Sequence, residues 1–257
     1  MLKPGLMSVI LFMAGTLALS CNSNASKVLS PQPPVSHEIW DGLLQKYVRP
    51  DGFVDYKGFV LDSAQLNSYL ALLSSAHPQK SWPKAEQMAY WINAYNAFTV
   101  KLIVDHYPVE SIKDIKRGIP FVNSVWDIKF IEIQGQTYDL NNIEHGILRK
   151  EFNDARIHAA INCASYSCPP LRKEAYWAGK LDSQLDDAMR HFVNDPLRNR
   201  VSADKAEISQ IFSWFSGDFK RDAGSVRDYI NRYAEEKLRP EGKISYLDYD
   251  WSLNDAR

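Results

Sequence analysis

The sequence contains few cysteines and no extended block of one charge. Its 257 residues include only three cysteines, which are Cys21, Cys163 and Cys168. The 30 Lys and Arg residues nearly balance 31 Asp and Glu residues, and no long basic stretch interrupts this balance. A protein that binds nucleic acid through its phosphates needs clustered positive charge. We therefore expect no nucleic-acid partner.

The sequence also lacks the common catalytic and ligand-binding motifs. It contains no G-x-S-x-G, Walker loop or H-E-x-x-H, no G-x-G-x-x-G after a strand and no EF-hand loop. No internal repeat is visible, and no apolar run after the N-terminal segment is long enough to span a membrane. These absences argue against the classes of enzyme and binding protein that such motifs mark.

The first 21 residues have the layout of a secretion signal. Lys3 supplies a positive charge, Leu6–Ser20 is an uncharged apolar run, and Cys21 follows directly. This ending resembles the bacterial lipoprotein signal, in which the cysteine is lipidated and becomes the new N-terminus. We expect a lipid anchor on Cys21 in a membrane of the bacterial cell envelope, the outer membrane in particular, facing the periplasm. An ordinary signal peptide cleaved near Ser20 is the alternative.

The remaining chain predicts one folded domain behind a linker. Residues 22–36 are rich in Ser, Asn and Pro and read as flexible, whereas 37–257 are long enough to bury a substantial core. Apolar spacing predicts helices over 37–48, 63–75, 85–106, 141–152, 181–193, 208–215 and 225–238. Short strands are predicted over 126–133, 137–140, 156–162 and 243–251, and 49–56 is predicted as a turn that leads into a short strand. The predicted class is α+β, mostly helical, with a small antiparallel sheet in the second half.

Two predicted elements carry the histidines of interest. Along a strand over 156–162 the side chains alternate, so His158 would point away from Cys163 and a simple dyad of the two is disfavoured. On the helix over 141–152, His145 and Arg149 lie four apart on one face and are candidates for acid–base chemistry and substrate binding. Glu144 in the same helix is more simply explained as the capping-box partner of an N-cap Asn141.

The long apolar helix contains two asparagines. Asn93 and Asn96 are three apart and share a side of the helix. Buried amides need hydrogen-bond partners. They either tie neighbouring loops to the core through backbone groups, which is the favoured interpretation, or line a polar pocket where they contact substrate.

The pair Cys163 and Cys168 allows three interpretations. A bent four-residue loop brings two cysteines within disulfide range, and an oxidising compartment favours that bond. A zinc site would combine both cysteines with His145 and His158, although the spacing is loose for zinc. A nucleophile would need a thiolate of lowered pKa, which a short helix beginning at Cys168-Pro169-Pro170 would support. The disulfide is the favoured interpretation, with no cofactor and zinc as the lesser possibility.

Four separated motifs resemble the domain-of-unknown-function 547 family. They are "YWINAYNAFTV" (90–100), "IEHGILR" (143–149), "RIHAAINCASYSCPPL" (156–171) and "YLDYDWSLN" (246–254), and they extend the resemblance over roughly 82–254. The family name implies no activity. A faint likeness to papain- and transglutaminase-like folds is also present, but the helix that would carry their nucleophilic cysteine has Asn93 and Asn96 instead.

Two functions remain open from the sequence. One is a thiol-dependent hydrolase or acyl-transferase acting on an envelope peptide-type substrate, with Cys163 or Cys168 as nucleophile and His145 or His158 as base. In that case Asn93, Asn96 or Arg149 would bind or orient the substrate. The other is a non-catalytic binding or scaffold module for an envelope peptide or protein, held by a Cys163–Cys168 disulfide.

Overall fold

The computed structural model describes Met1 and residues 32–115 and 124–256. Pro31–Arg257 form one compact unit. Apart from Met1, the predicted signal lies outside the described residues, as do Cys21, whose lipidation is predicted, and most of the predicted linker. Within those residues, no helix is long and apolar enough to cross a membrane.

The first half of the unit is helical. Its helices are α1 (Glu38–Tyr47), α2 (Tyr56–Leu61), α3 (Ser63–Ser75) and α4 (Lys84–Val104). Helix α1 is amphipathic and buries Trp40, Leu43, Leu44 and Tyr47. Helix α4 is buried almost all round, as expected of a helix at the centre of a core. The sequence prediction missed α2, whose N-cap Asp55 accepts a hydrogen bond from the Gly58 N–H at 2.8 Å.

A hairpin and an unusual helix follow. Strands β1 (Ile131–Ile133) and β2 (Gln136–Tyr138) pair antiparallel, which confirms the predicted hairpin. Its two-residue turn, Gln134-Gly135, has both φ angles positive, as turns of this length between twisted strands require. The next helix, Asn142–Phe152, is wound as a π-helix, a rare form that is frequent at functional sites.

The predicted strand over 156–162 is wrong. Ile157–Ala160 form the short helix α5 instead, and the chain becomes extended only from Ile161. A brief apolar run has no periodicity that separates a buried helical turn from a buried strand. Side chains do not alternate between two faces in a helical turn, so the reason for expecting His158 to point away from Cys163 does not apply.

The second half combines four helices with a small sheet. The helices are α6 (Leu181–Asn194), α7 (Ile211–Trp214), α8 (Ser216–Ala223) and α9 (Val226–Tyr233). The strands β3 (Arg200–Val201), β4 (Lys205–Ile208) and β5 (Lys243–Tyr246) pair in the order β3-β4-β5, antiparallel and then parallel. Strand β5 is shorter than the predicted 243–251. The α+β class is confirmed.

Two apolar clusters form the core. The larger surrounds α4 and includes side chains from α1, α3, the hairpin and the π-helix. The smaller lies between α6 and the helices α7 to α9. Helix α5 contributes to both clusters, with Ile157 and Ala160 in the larger and Ala159 in the smaller. The segment that leads into the cysteines is therefore fixed on both sides.

Candidate functional site

A tight loop carries the two cysteines. Ala164 has a φ of 60°, so the chain bends sharply directly after Cys163. Ser165 then pairs with Leu253 of the C-terminal segment as an isolated antiparallel bridge. The helix that was expected to begin at Cys168 is not formed. The loop is held by the C-terminal segment and receives no support from a helix dipole.

The two asparagines of α4 form hydrogen bonds with backbone groups of other segments and do not line the site. The Asn96 amide donates to the Ala160 carbonyl at 2.9 Å and accepts from the Asn162 N–H at 2.8 Å. Asn93 does the same with the carbonyl and the N–H of Tyr176, at 2.8 and 2.9 Å. Asn96 therefore positions the segment that enters the cysteine loop, while Asn93 anchors a different one.

Cys163 and Cys168 are free thiols. Their Sγ atoms lie 2.8 Å apart, longer than the about 2.05 Å of a bonded pair. The predicted disulfide is therefore not seen. The Cys168 Sγ instead accepts a hydrogen bond from the Cys163 N–H at 2.8 Å, and the Cys163 Sγ has Ser165 Oγ at 3.2 Å and Tyr249 OH at 3.4 Å.

The surroundings of the two thiols shift their pKa values in opposite directions. Hydrogen bonding from Cys168, and then from Ser165 and Tyr249, holds the pKa of Cys163 below its ordinary value despite burial. Burial raises the pKa of Cys168 well above its ordinary value, and the neighbouring Cys163 raises it further. Cys163 is therefore the more acidic thiol of the pair, and Cys168 is the less acidic one.

Cys163 and Cys168 line a small cleft of about 210 Å³. Both candidate histidines line the same cleft. No Lys or Arg is among its described lining residues, and more than half of the lining residues are aromatic or aliphatic. The other residues that line it are Tyr95, Trp126, Asn141, Glu144, Ile161, Pro169, Ile211, Trp214, Phe215, Tyr249 and Trp251.

His158 is oriented by a carboxylate. Its Nε2 lies 2.8 Å from Asp218 Oδ2, and its ring stacks on Phe215 with the centroids 3.9 Å apart. The buried Nδ1 has no hydrogen-bond partner among the described residues. Burial is the main cause that lowers the pKa of His158, so the ring is neutral at pH 7. His158 thus shares the cleft with Cys163, contrary to the expectation from a strand.

Arg149 links Asp218, the partner of His158, to His145. The Arg149 Nε donates to Asp218 Oδ2 at 2.7 Å, and an Arg149 terminal nitrogen lies 3.2 Å from His145 Nδ1. The hydrogen bond from His158, followed by that from Arg149, holds the pKa of Asp218 far below its usual range. Arg149 is not part of the cleft lining, so its observed role is to fix Asp218.

Glu144 is buried in the cleft and does not form the predicted capping box. Asn141 makes no side-chain cap; its amide donates to Asp127 Oδ1 at 2.6 Å. Asp139 caps this end instead, accepting from the Asn142 N–H at 2.6 Å. Glu144 accepts a hydrogen bond from Tyr95 OH at 3.3 Å, and burial raises its pKa to about 7.

Each of the four proposed zinc ligands makes a contact of a different kind. His158 contacts Asp218, His145 contacts Arg149, and the cysteines contact each other. In the part of the chain that the structure describes, no group of three or more His, Cys, Asp or Glu side chains is placed to hold a metal ion.

Several site residues were not identified from the sequence. Asp218 lies 60 residues after His158 on another helix, and no local pattern marked it. Tyr249 and Trp251 belong to the motif "YLDYDWSLN", so their clustering in one motif was an available signal. Glu144 was considered and assigned to a cap, because a capping box explains a glutamate at that spacing without any chemistry.

Comparison with known proteins identifies one family. Residues 79–193 match the family described as "Protein of unknown function, DUF547", which confirms the resemblance carried by the motifs. The match ends before the motif at 246–254. No curated protein and no solved structure gives a significant match, so the likeness to papain- and transglutaminase-like folds is not shown.

Proposed function

We propose that this chain, whose residues 79–193 belong to the DUF547 family, is a thiol-dependent hydrolase or acyl-transferase of the bacterial cell envelope. The observation that carries the proposal is the surroundings of the Cys163 sulfur. Three polar groups, from Cys168, Ser165 and Tyr249, lie within hydrogen-bond reach of it inside a cleft. A thiolate that is stabilised in this way is a nucleophile at neutral pH.

Cys163 is the nucleophile in preference to Cys168. Cys168 is almost fully buried, at 2% exposure, and its high pKa keeps it protonated. Its S–H stabilises the neighbouring thiolate, and its carbonyl accepts from the buried Arg198 guanidinium, which fixes the end of the loop. Cys168 is therefore a positioning residue.

His158 is the base of the proposed reaction. With Nε2–H donating to Asp218, the neutral tautomer leaves Nδ1 as a proton acceptor. That atom is buried, has no hydrogen-bond partner in the described part of the chain, and belongs to a ring that lines the cleft. It takes the proton from the water or other acceptor that attacks the acyl-enzyme. His145, more exposed and engaged with Arg149, is the weaker candidate.

Selective alkylation and acylation test the nucleophile. At pH 7, iodoacetamide should label Cys163 and spare Cys168, and p-nitrophenyl acetate should leave an acetyl group on the same peptide, both read by mass spectrometry. Cys163→Ser should abolish both adducts. Cys168→Ala should slow the labelling of Cys163, because it removes the thiol that contacts the Cys163 sulfur. Native protein that resists both reagents while its unfolded form reacts would refute the thiol enzyme.

The envelope location rests on the sequence alone. The apolar run that ends at Cys21 favours lipidation and a tether on the periplasmic side. Radiolabelled palmitate fed to expressing cells should appear in the wild-type protein and be absent from Cys21→Ser. A soluble, unlabelled wild-type protein would contradict the anchor.

A non-catalytic binding module is the second candidate, and the aromatic wall of the cleft favours it. Trp126, Trp214 and Tyr249 all contact Trp251, with ring centroids 5.5, 5.8 and 4.6 Å away. Trp214 is 48% exposed, an unusual position for so large an apolar side chain. Such a wall could hold an envelope peptide without any chemistry, and an inert Cys163 would leave this function standing.

A further inference from the structure

Glu144 is a carboxyl group in the cleft that the nucleophile and base do not use. It is 8% exposed and accepts one hydrogen bond, from Tyr95 OH at 3.3 Å. Its nearest basic group is His145 Nδ1, at 3.9 Å from Oε1. No Lys or Arg of the described ranges forms an ion pair with it. A buried carboxylate without a cation is unfavourable, so the geometry favours the protonated form.

The negative charges around Glu144 also favour its protonated form. Burial is the largest cause of its raised pKa, and the negative charge of Cys163 is the next. Asp218 on α8 raises the pKa further, whereas Arg149 on its own helix and Tyr95 on α4 lower it. Two acidic groups that share one water-poor cleft cannot both ionise readily. At neutral pH they share one proton, and when that proton lies on Glu144 the Cys163 sulfur is a thiolate.

We propose that protonated Glu144 is the general acid that delivers a proton to the leaving group, and that the substrates of the cleft are therefore amides. The inference rests on the proposed acyl transfer at Cys163. It makes Glu144 the source of the proton that the leaving group receives, a role separate from that of the base, His158.

The proposed reaction proceeds in two stages, acylation of Cys163 and hydrolysis of the thioester. The Cys163 thiolate attacks the amide carbonyl carbon and forms a C–S bond. The C–N bond breaks while the Glu144 carboxyl proton passes to nitrogen, so a neutral amine leaves and Glu144 becomes a carboxylate. Water, deprotonated by His158, then attacks the thioester, the C–O bond forms, and the thiolate departs. His158 releases its proton to solvent, and Glu144 takes one from solvent.

The choice of amides follows from the leaving group. An amine departs only if its nitrogen gains a proton, whereas a nitrophenolate departs as a stable anion. A poised acid therefore accelerates amide cleavage and adds little to the cleavage of activated esters. General acid catalysis contributes about 10²–10⁴-fold to such a step.

The test compares Glu144→Gln with a control, Glu151→Gln, which changes an exposed residue of the same π-helix. The first readout uses no substrate: the rate of Cys163 alkylation by iodoacetamide is followed from pH 5 to 9. Without the nearby acid, the midpoint of Glu144→Gln should fall by about one pH unit. The midpoint of Glu151→Gln should match that of the wild type.

The second readout uses a library of dipeptidyl p-nitroanilides and the matched p-nitrophenyl esters. Glu144→Gln should lose about 10²–10⁴-fold in anilide cleavage and keep ester cleavage within about threefold. Equal losses on both libraries, an unchanged midpoint, or a wild-type protein that cleaves only esters would overturn the inference alone. A wild-type protein that cleaves neither library would overturn the proposed acyl transfer together with it.

Discussion

Replacement of Asn96 by leucine separates the stability of the fold from the assembly of the site. Leucine has nearly the shape of asparagine and is a better helix former. It cannot donate to the Ala160 carbonyl or accept from the Asn162 N–H, which Asn96 holds at 2.9 and 2.8 Å. Both backbone groups belong to the segment that enters the cysteine loop, so the loss acts directly on Cys163.

The expected cost follows from the two groups that lose their partner. Each buried polar group left unsatisfied costs about 1–3 kcal/mol, so Asn96→Leu should lower the free energy of unfolding by about 2–6 kcal/mol. Asn93→Leu is the matched control, because Asn93 makes the same two bonds to Tyr176 at 2.8 and 2.9 Å. The two variants should be destabilised by similar amounts.

The assay combines urea unfolding with thiol alkylation. Unfolding followed by tryptophan fluorescence should show a lower midpoint with an unchanged slope in both variants. Only Asn96→Leu should also alter the folded protein: as the loop shifts, Cys163 loses its donors and its alkylation at pH 7 slows about tenfold. Equal alkylation rates in the two variants, or a destabilisation below about 1 kcal/mol, would refute this account of Asn96.

Two further predictions concern a turn and a titration. Gly52 has a φ of 80°, and a Cβ there would lie 2.5 Å from Pro170 Cα and 2.9 Å from Leu171 N. Gly52→Ala should therefore lower the free energy of unfolding by about 1–3 kcal/mol for the backbone strain and by a similar amount for the overlap. Gly135 has a φ of 77° and open space around it, so in the same urea assay Gly135→Ala should cost the strain alone. Burial lowers the pKa of His37 to about 4, so between pH 6.5 and 4 the unfolded chain binds more protons than the folded one. Stability should fall by about 3 kcal/mol as the pH is lowered across this window, and the drop should be absent from His37→Gln; parallel curves for the two proteins would contradict it.

The sequence predicted the parts of the fold that its apolar periodicity marks. Helices α3 and α4 lie within one or two residues of their predicted bounds, and the hairpin is where alternation and the Gly135 turn placed it. Short elements were missed or misjudged: α2 was not predicted, and α5 was predicted as a strand. A helix of four residues is too brief to show a period of 3.6, so tertiary packing decides its conformation.

The candidate site could be predicted in part. The residues chosen from the sequence include Cys163, Cys168, His145 and His158, and all four line one cleft. Their partners could not be predicted, because Asp218 and Tyr249 reach the cleft through contacts between distant parts of the chain. The role of Glu144 was also out of reach, since its burial depends on how the π-helix packs on α4.

The bridge between Ser165 and Leu253 joins the cysteine loop to a segment that is synthesised late, so the site is completed late in protein synthesis. Tyr249, a donor to the Cys163 sulfur, follows that residue by 86 positions. A growing chain therefore presents Cys163 to its surroundings well before this donor exists. Until the segment around Tyr249 and Leu253 arrives, the Cys163 sulfur lacks the Tyr249 hydroxyl, and its loop lacks the bridge to Leu253. The chain thus acquires its nucleophile late, after most of the core has been translated.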